Sequence, residues 1–350
     1  MGVRLDPVDE YMHELGPETN FNESMYFNVY DPAQKLGGWF RIGNRANEGH
    51  AEMTVCLYLP DGSVGFMFQR AKIDNNDQFE AGGIRIDVVE PFKELTLSYR
   101  GKVAVLANPL DMVEPKRAFT ENPREVCSVD LRILGASAMF GGEPDTPHET
   151  PGEEFAKGHY EQLLNGIGTI SVGSQTWTVD GYVLRDHSWG PRFWSAPWYY
   201  RWLTGNAGAD FGFMGSFVAK KDRVGSQGGF VWEGDKISTF DECEIETVWR
   251  EVETAGATGN GENSAEPDRY HQEIAATFRS TRTGQEWNIT GSVMNLIPLR
   301  NRRTTPEGEE LLTRISEGIT QWTTEDGRTG FGMSEYLDQI IDGRPVSYTE

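Results

Sequence analysis

Short runs of alternating apolar and polar residues, separated by turn residues, recur along almost all of this chain of 350 residues. The run 83–89 (GIRIDVV) alternates, and the runs 54–60 and 63–68 are joined by a Pro-Asp-Gly turn. Alternation with a period of two predicts strands with one buried face, and turns about every 8–12 residues favour a sandwich or barrel. Because no segment predicts a helix of more than a few turns, the fold class is expected to be all-β and antiparallel.

A single glycine predicts a further hairpin, since Gly101 separates the runs 94–100 and 102–106. Two more strands are expected over residues 165–173 and 175–179. The segment 141–158 interrupts the strands with acidic residues, proline and glycine, which predicts a connection between domains or a lid. We therefore expect an N-terminal β domain over residues 1–165 and a C-terminal β domain over residues 166–350. Residues 254–268 lack large apolar side chains and predict a surface loop.

The charge balance excludes two classes of partner. The chain has 54 Asp and Glu against 32 Lys and Arg, a net charge of -22, whereas binding to nucleic acids or anionic membranes needs a basic face. No run approaches the ~18 apolar residues of a membrane span, so no transmembrane segment is expected, and the N-terminus does not resemble a secretory signal. Three scattered cysteines fit a reducing, cytoplasmic location. A homodimer is one assembly that the sequence allows.

The stretch 181–202 (GYVLRDHSWGPRFWSAPWYYRW) concentrates the residues of greatest chemical interest. Five of the ten tryptophans lie between positions 177 and 202, interleaved with arginines, an aspartate and a histidine. Ionisable side chains are costly to bury without partners, and ligand pockets are apolar with a few convergent polar groups. The pattern therefore favours a lined pocket. The alternative is structural, with tryptophan and arginine side chains acting as struts inside a barrel.

Asp186 and His187 are the candidate catalytic residues. In a dry aromatic pocket, a carboxyl group or an imidazole can hold a proton or release it near neutral pH, because burial disfavours its charged form. Adjacent strand residues point to opposite faces, so one of the two would face the pocket and the other would orient it or belong to the wall. The alternative is a structural histidine beside an aspartate that caps the turn beginning at Ser188.

Six residues are predicted to bind substrate. Each aromatic ring could stabilise a positive charge by roughly 0.5–2 kcal/mol, although core packing is the better interpretation of any single ring. Arg192 is expected to pair with a carboxylate in the pocket wall. Arg41, Arg45, Glu48 and Glu52 form either a ladder of ion pairs or part of the site, with the two glutamates as second-choice acids. The predicted substrate-binding residues are Trp189, Arg192, Trp194, Trp198, Tyr199 and Glu48.

The sequence lacks the motifs of common metal and cofactor sites. The six histidines show neither HxH nor HExxH spacing, which would indicate zinc. Gly-Ile-Gly at 166–168 lacks the full GxGxxG of nucleotide-binding folds, and there is no GxSxG nucleophile turn. We therefore expect no metal and no cofactor.

Several segments resemble a known family. Residues 185–194, RDHSWGPRFW, resemble the RDHSWGxRxW signature of the lipocalin-like superfamily that includes carotenoid hydratases. Residues 44–52, 89–92 and 332–336 look like accompanying motifs of its uncharacterised bacterial branch. The resemblance implies two tandem lipocalin-like β-barrel or sandwich domains, the second carrying the signature, with a ligand cavity near their interface. It also implies chemistry such as isoprenoid or kievitone hydration, merosterol cyclisation or Diels–Alder ring closure, which mostly needs an acid and an apolar cavity without a cofactor.

One main hypothesis follows from the residues and the resemblance. The protein is expected to be a cofactor-independent hydratase or dehydratase, or an isomerase or cyclase, acting on a small hydrophobic isoprenoid-like alkene or alcohol. Asp186, or His187 through it, would donate and accept the proton. The alternative is a non-catalytic lipocalin-type carrier, which needs the aromatic cavity but not the ionisable pair. A hydrolase or cyclase acting on a polyketide or glycoside is a third hypothesis, and paired carboxylates would support its glycosidase form.

Overall fold

The computed structural model describes residues 2–145, 155–194, 196–221, 224–252, 268–304, 310–341 and 344–349. Over these residues the chain is almost entirely antiparallel β-structure in two curled sheets, which confirms the predicted all-β fold class. Among the described residues, the one α-helix is α1 (Pro115–Glu121), and short 3-10 helices lie at Pro7–Glu10, Ala46–Glu48, Pro109–Val113 and Val346–Thr349. No helix in this part of the chain is long and apolar enough to cross a membrane.

The first sheet closes into a barrel. Its twelve described strands are β1 (Val3–Arg4), β2 (Phe21–Asp31), β3 (Leu36–Arg45), β4 (His50–Tyr58), β5 (Val64–Lys72), β6 (Phe79–Ala81), β7 (Ile84–Glu90), β8 (Glu94–Leu106), β9 (Arg124–Gly135), β10 (Phe140–Pro144), β11 (Gly158–Val172) and β12 (Gln175–Pro191). Eight of them form a ring in the order β11-β12-β2-β3-β4-β5-β8-β9, because β9 pairs with both β8 and β11. Closure removes the unpaired edges of these strands.

Strand β2 lies between the lumen of the barrel and the second sheet. Met25, Phe27 and Val29 face the lumen and join its apolar core, whereas Tyr26 and Asn28 face the second sheet. Every residue of β2 is buried. A strand covered on both faces loses the apolar–polar alternation that marks a strand with one exposed face.

The second sheet also curls around its own core. Its ten described strands are β13 (Tyr199–Asn206), β14 (Phe211–Ala219), β15 (Val224–Glu233), β16 (Lys236–Phe240), β17 (Glu242–Val252), β18 (Asp268–Arg279), β19 (Glu286–Thr304), β20 (Glu310–Thr324), β21 (Thr329–Ile341) and β22 (Arg344–Pro345). They pair in the order β16-β15-β14-β13-β21-β20-β19-β18-β17, with β22 beside β21. The ring of Phe240 stacks on that of Phe278 with centroids 4.4 Å apart, so β16 and β18 meet inside the curl.

The outer faces of the two sheets pack against each other. Asn28 Nδ2 donates to Thr204 Oγ1 at 3.2 Å, and Tyr58 OH donates to the backbone oxygen of Glu317 at 2.8 Å. Apolar clusters lie on either side of these contacts, and each large buried side chain stabilises the packing by roughly 1.5–3 kcal/mol. One cluster includes Tyr26, Trp39, Ile319 and Met333, and the other contains Leu163, Leu184, Met214, Phe230 and Trp232.

The change from the first sheet to the second lies between Pro191 and Tyr199. The predicted boundary after residue 165 instead falls inside β11, which closes the barrel together with β12. The segment 185–194 was expected in the C-terminal domain, but its strand residues belong to the first sheet because β12 pairs with both β11 and β2. The predicted connection 141–158 begins with β10, while its residues 146–154 and residues 254–267 of the predicted surface loop lie outside the described residues.

The hairpin predicted at Gly101 does not form. The run 94–106 is a single strand, because β8 pairs with β9 without a break from Glu94 to Ala104, so Gly101 continues the ladder and the predicted hairpin is wrong. The strand runs predicted over 165–173 and 175–179 lie in β11 and β12, and a turn at Gly173 joins them, since Val172 pairs with Gln175. Gly173 has a φ of +59°, a left-handed conformation that favours glycine.

Candidate active site between the two sheets

Strand β12 presents residues 185–189 to two environments. Because neighbouring strand residues point to opposite faces, the odd-numbered positions face the lumen of the first barrel. Asp186 and Ser188 face the second sheet. The register places Asp186 opposite Glu161 of β11 on one side and Tyr26 of β2 on the other. The segment singled out by sequence therefore divides between a barrel interior and the interface of the sheets.

The lumen face of this segment binds the N-terminal residues of the chain. Arg185 Nη2 donates to Glu10 Oε2 at 2.9 Å, and both side chains are fully buried. Glu23 Oε1 lies 2.7 Å from His187 Nε2 and 2.9 Å from His13 Nδ1. Burial alone would raise the pKa of Glu23, but the hydrogen bonds of the two histidines bring it below its usual value. His187 has no exposed surface, so it belongs to the wall of the first barrel.

The opposite face carries a cluster of Asp186, His159 and Glu161, which we call the acid cluster. His159 Nε2 hydrogen bonds to Asp186 Oδ2 and lies 3.4 Å from Glu161 Oε1. Trp202 Nε1, from the second sheet, donates to Glu161 Oε1 at 3.1 Å. Glu161 Oε2 is buried and has no hydrogen-bond partner.

The three side chains of the acid cluster differ in accessible surface. The side chains of His159 and Asp186 keep 43% and 23% of their accessible surface, whereas that of Glu161 keeps 1%. His159 and Asp186 are nevertheless surrounded by protein. We infer that their accessible surface lines an internal space between the two sheets.

The protonation states in the acid cluster differ from one group to the next. Burial alone would raise the pKa of Asp186, but the charge and hydrogen bond of His159 hold it below its usual value. Burial alone would lower the pKa of His159, but the Asp186 carboxylate raises it to about 9. Burial raises the pKa of Glu161 to about 8. Near neutral pH the cluster therefore contains an ionised Asp186–His159 pair beside a protonated Glu161.

Two more acids reach the same interface from the second sheet. Glu317 of β20 and Glu335 of β21 are cross-strand partners, in register with Trp202 of β13. Tyr200 OH donates to Glu335 Oε1, whereas Glu317 Oε2 is buried without a hydrogen-bond partner. Burial raises the pKa of each carboxyl to about 8, and the charge of Asp186 contributes at Glu335. The interface thus holds acids that keep their protons at neutral pH.

Arg41 brings a positive charge to this face of the first sheet. It lies opposite Tyr26 in the pairing of β3 with β2. Its Nη1 is 3.8 Å from Glu52 Oε2, and its Nη2 is buried without a hydrogen-bond partner. Its Cζ lies 5.6 Å from the centre of the Trp194 ring. Burial lowers the pKa of this guanidinium.

Three of the residues predicted from sequence lie together here, namely Asp186, Arg192 and Trp194. Arg192 Nη2 donates to Ser188 Oγ at 2.7 Å, and its Cζ lies 5.4 Å from the centre of the Trp194 ring. Its charge also contributes to the lowered pKa of Asp186. The Trp194 ring is therefore close to two guanidinium groups, those of Arg192 and Arg41.

Three other predicted residues lie on the opposite faces of their strands. His187 and Trp189 point into the first barrel, where Trp189 stacks on an N-terminal histidine with centroids 4.0 Å apart. Tyr199 faces the inside of the second sheet. Alternation along β13 instead places Tyr200 and Trp202 on the face towards the acid cluster.

Trp198 and Glu48 lie outside the acid cluster. The Trp198 ring is 5.6 Å from the ammonium of the exposed Lys221. Glu48 accepts a hydrogen bond from Arg45 Nε at 3.0 Å and belongs to a run of charges that continues to Glu52. Of the two interpretations left open by sequence, Glu48 fits the ladder of ion pairs.

Four titratable residues of this interface were not predicted from the sequence. Glu161 could have been predicted, because counting back residue by residue from the turn at Gly173 places it opposite Asp186. His159 lies two positions before Glu161 and therefore shares its face. Glu317 and Glu335 come from strands of the other sheet, and no local pattern connects them with β12.

Two groups of side chains have ligand-type atoms within 4.8 Å of one another: His13, Glu23 and His187 in the lumen, and His159, Glu161 and Asp186 in the acid cluster. In each group a histidine hydrogen bonds to a carboxylate. These hydrogen bonds account for the short distances between the ligand-type atoms. The absence of a metal stays a prediction.

Two open depressions lie elsewhere on the described surface. One, of about 200 Å³, lies on β17 and β18 and is lined by residues that include Glu242 and Arg279, an exposed ion pair. The other, of about 530 Å³, lies between the Pro109–Val113 helix and β18–β19 and reaches His271. Burial lowers the pKa of His271 to about 3, so it is neutral at physiological pH. Neither depression is lined by a residue of the acid cluster. The interface is the better candidate site because it gathers several titratable groups with strongly shifted pKa values.

The fold is that of two tandem lipocalin-like β domains, as comparison with solved structures shows. A putative AttH from Nitrosomonas europaea is similar, with a TM-score of 0.56 and 11% identity over 93% of this chain and 96% of that chain. Kievitone hydratase from Nectria haematococca gives 0.55 and 11% over 90% and 88% of the two chains. CghA, solved with the compound Sch210972, gives 0.52 and 12% over 98% and 97%. At such low identity the similarity is one of fold.

The chain belongs to the family described as Domain of unknown function (DUF7064), whose model matches residues 6–340. No curated protein matches the sequence significantly. The resemblance to lipocalin-like proteins is confirmed as a fold, while the signature motif and the bacterial branch stay predictions.

Proposed function

We propose that the protein is an enzyme that adds water to a hydrophobic alkene, or removes it from an alcohol, by acid–base chemistry between the two sheets. The observation that carries this proposal is Glu161, a carboxyl with a pKa of about 8. One of its oxygens is held by Trp202, and the other has no partner in the protein. A protonated carboxyl with one oxygen that makes no hydrogen bond to the protein is suited to general acid catalysis. The hydratase among the similar structures supports this class of reaction.

Glu161 both donates and recovers the proton in this mechanism. In the hydration direction, the π electrons of the double bond take the Glu161 proton and form a C–H bond, leaving a cation on the neighbouring carbon. Water then adds through an oxygen lone pair, and the surplus proton of the oxonium returns to the Glu161 carboxylate. Dehydration follows the same steps in reverse, with the hydroxyl group leaving as water.

The neighbours of Glu161 stabilise both stages. The Asp186 carboxylate contributes to the raised pKa of Glu161, so it helps to keep the acid protonated before reaction. The same negative charge favours a positive charge developing nearby. The rings of Trp202 and Trp194 would add roughly 0.5–2 kcal/mol each if they face the cation. In this scheme His187 has no direct part, because it lies on the lumen face of β12.

An isoprenoid-like substrate and independence from cofactors are the finer parts of the proposal. They rest on the resemblance of residues 185–194 and on the apolar clusters that flank the acid cluster. An apolar-ligand carrier would need the same flanking surfaces, but a carboxyl held protonated at neutral pH would add nothing to its function.

Glu161→Gln tests the acid, because it keeps the size of the side chain and removes the transferable proton. We expect turnover to fall by about 10²–10⁴-fold. The measurement is incorporation of heavy-oxygen water, followed by mass spectrometry, into a panel that contains kievitone, geraniol and linalool. In the native protein kcat/KM should fall as the pH rises through about 8, because Glu161 then loses its proton.

Exposed Glu125→Gln is the matched control and should leave turnover unchanged. Full turnover in Glu161→Gln would reject Glu161 as the acid. If Asp186→Asn abolished turnover while Glu161→Gln kept it, the acid would be Asp186, as the sequence predicts. Recovery of bound ligand without chemical change across the whole panel would favour the carrier.

A further inference from the structure

We infer that the molecule bound between the sheets carries a carboxylate, which Arg41 binds, in addition to its apolar reacting part. The inference rests on the proposed function, because it names the substrate class of the same site. The guanidinium of Arg41 carries a positive charge that the surrounding protein groups balance only in part. Arg41 Nη2 has no hydrogen-bond partner, and Nη1 is 3.8 Å from Glu52 Oε2. Glu52 also lies 3.2 Å from Arg70 Nη2, so its charge is shared.

The groups around Arg41 leave an excess of positive charge in the interface. Three of the nearby carboxyls have pKa values of about 8 and are neutral at pH 7: Glu161, Glu317 and Glu335. The charged groups that remain are, on the positive side, Arg41, Arg45, Arg192 and His159 and, on the negative side, Asp186, Glu48 and Glu52. This excess lies within a chain whose net charge is -22. Because an uncompensated charge away from water is costly, an anionic ligand would supply what the interface lacks.

The second wall of the interface offers a further hydrogen-bond donor. The charge of Arg41 opposes the raised pKa of the Glu317 carboxyl, so the two groups interact electrostatically across the interface. Glu317 is 4% exposed, and its Oε2 has no partner. In its protonated form it can donate one hydrogen bond, while the guanidinium donates two in parallel. Both matches favour the planar, two-oxygen geometry of a carboxylate.

The orientation of Arg41 is already set without ligand. Its guanidinium lies over the Trp194 ring, at 5.6 Å from the ring centre, and stacking of this kind restricts the planar group. Arg41 lies on β3 and the acid Glu161 on β11, with β2 and β12 between them, which corresponds to ~14 Å between their backbones. The anionic end and the reacting bond are therefore at different ends of the ligand. An elongated unsaturated or isoprenoid carboxylic acid has this arrangement.

Binding of matched acids and alcohols tests the inference without requiring turnover. The probes are geranic acid with geraniol, farnesoic acid with farnesol, and oleic acid with oleyl alcohol, titrated into the full chain near neutral pH by calorimetry. Within each pair the apolar part is the same. We expect at least one acid to bind about tenfold or more tightly than its alcohol, and we expect Arg41→Leu to bring that ratio close to one.

Arg70→Leu is the matched control, because it removes an arginine that pairs with the same Glu52 but is 57% exposed. It should leave the acid-to-alcohol ratio unchanged. If Arg41→Leu does not fold, as judged by circular dichroism, Arg41→Lys takes its place. It should reduce the ratio, because a point charge replaces the paired donors.

Three outcomes would overturn the inference: no acid binding more tightly than its alcohol, an unchanged ratio in the Arg41 variant, or an equal loss in Arg70→Leu. Glu161→Gln separates the two proposals, since it should lose turnover and keep the preference for the acid. If that variant keeps its turnover, the proposed acid fails while carboxylate binding can still hold.

Discussion

At the scale of single residues, neighbouring carboxyl groups in this protein differ in charge because their partners differ. Glu161 and Asp186 lie opposite each other on paired strands. Asp186 is ionised because His159 hydrogen bonds to it. Glu161 has a pKa of about 8 because the charge of His159 and the hydrogen bond from Trp202 lower the pKa by less than burial raises it. The position of one histidine therefore decides which carboxyl is the acid. Pairs of groups whose pKa values are pushed apart in this way are typical of acid–base sites.

Glu317→Gln should stabilise the protein near neutral pH. The pKa of Glu317 is about 8 in the folded chain and near 4.5 in the unfolded chain, so the unfolded state loses its proton first as the pH rises. The stability that depends on this proton is fully present below about pH 4.5 and is lost as the pH rises through about 8. Near pH 7 the neutral glutamine should increase the free energy of unfolding by on the order of 2 kcal/mol.

Urea denaturation of Glu317→Gln and of the native chain, near pH 4 and near pH 7, measures this effect. Glu125→Gln, at an exposed position, serves as the control and should change neither value. A gain of the same size at both pH values would mean that ionisation of Glu317 is not its cause.

At the scale of elements, β12 performs two tasks on its two faces. Its lumen face anchors the N-terminal residues through Arg185 and His187, and its other face supplies Asp186 to the acid cluster. Substitutions at alternate positions of one strand should therefore have different consequences. His187→Gln is expected to lower stability, whereas Asp186→Asn is expected to lower turnover.

The ion pair between Arg185 and Glu10 allows a test of the anchoring face. Both side chains have no exposed surface, so Glu10→Gln leaves a buried guanidinium without its anion. We expect this change to destabilise the protein by about 3–5 kcal/mol. Replacing both residues by methionine should restore much of the loss, because no buried charge then remains. Thermal denaturation of the single and double variants measures it, and a double variant no more stable than Glu10→Gln would contradict this account.

The strands of the site could be predicted from sequence, but the faces could not. Asp186, Arg192 and Trp194 were found because they lie in one aromatic stretch with ionisable residues. His187 and Trp189 were assigned to the same pocket because β12 is buried on both faces for much of its length, which removes the polarity difference between its sides. The run through Gly101 was divided because a glycine alone cannot distinguish a turn from a continuing strand.

At the scale of the whole molecule, the candidate site exists only where the two sheets meet. The acid cluster belongs to β11 and β12, while Trp202, Glu317 and Glu335 belong to the second sheet. More than a hundred residues separate Glu161 from Glu317 along the chain. Sequence patterns of strand length carry no information about such a contact, which explains why these acids were not predicted. Because the site needs both sheets, the position at which the chain divides into two folding units matters for the site.

Two truncated chains test that division. A chain of residues 1–191 keeps β11 and β12, which connect β9 to β2 and complete the eight-stranded ring. A chain of residues 1–165 lacks β12 and the second half of β11, so the ring opens and lumen residues such as Ile170 and Val183 are lost from its core. We expect the longer chain to melt cooperatively by circular dichroism and the shorter chain to show no cooperative transition. The longer chain should still be less stable than the full protein, because its face around Tyr26 and Trp39 loses the cover of the second sheet. Cooperative melting of residues 1–165 would instead support the boundary that the sequence predicts, and it would mean that β12 is dispensable for the barrel.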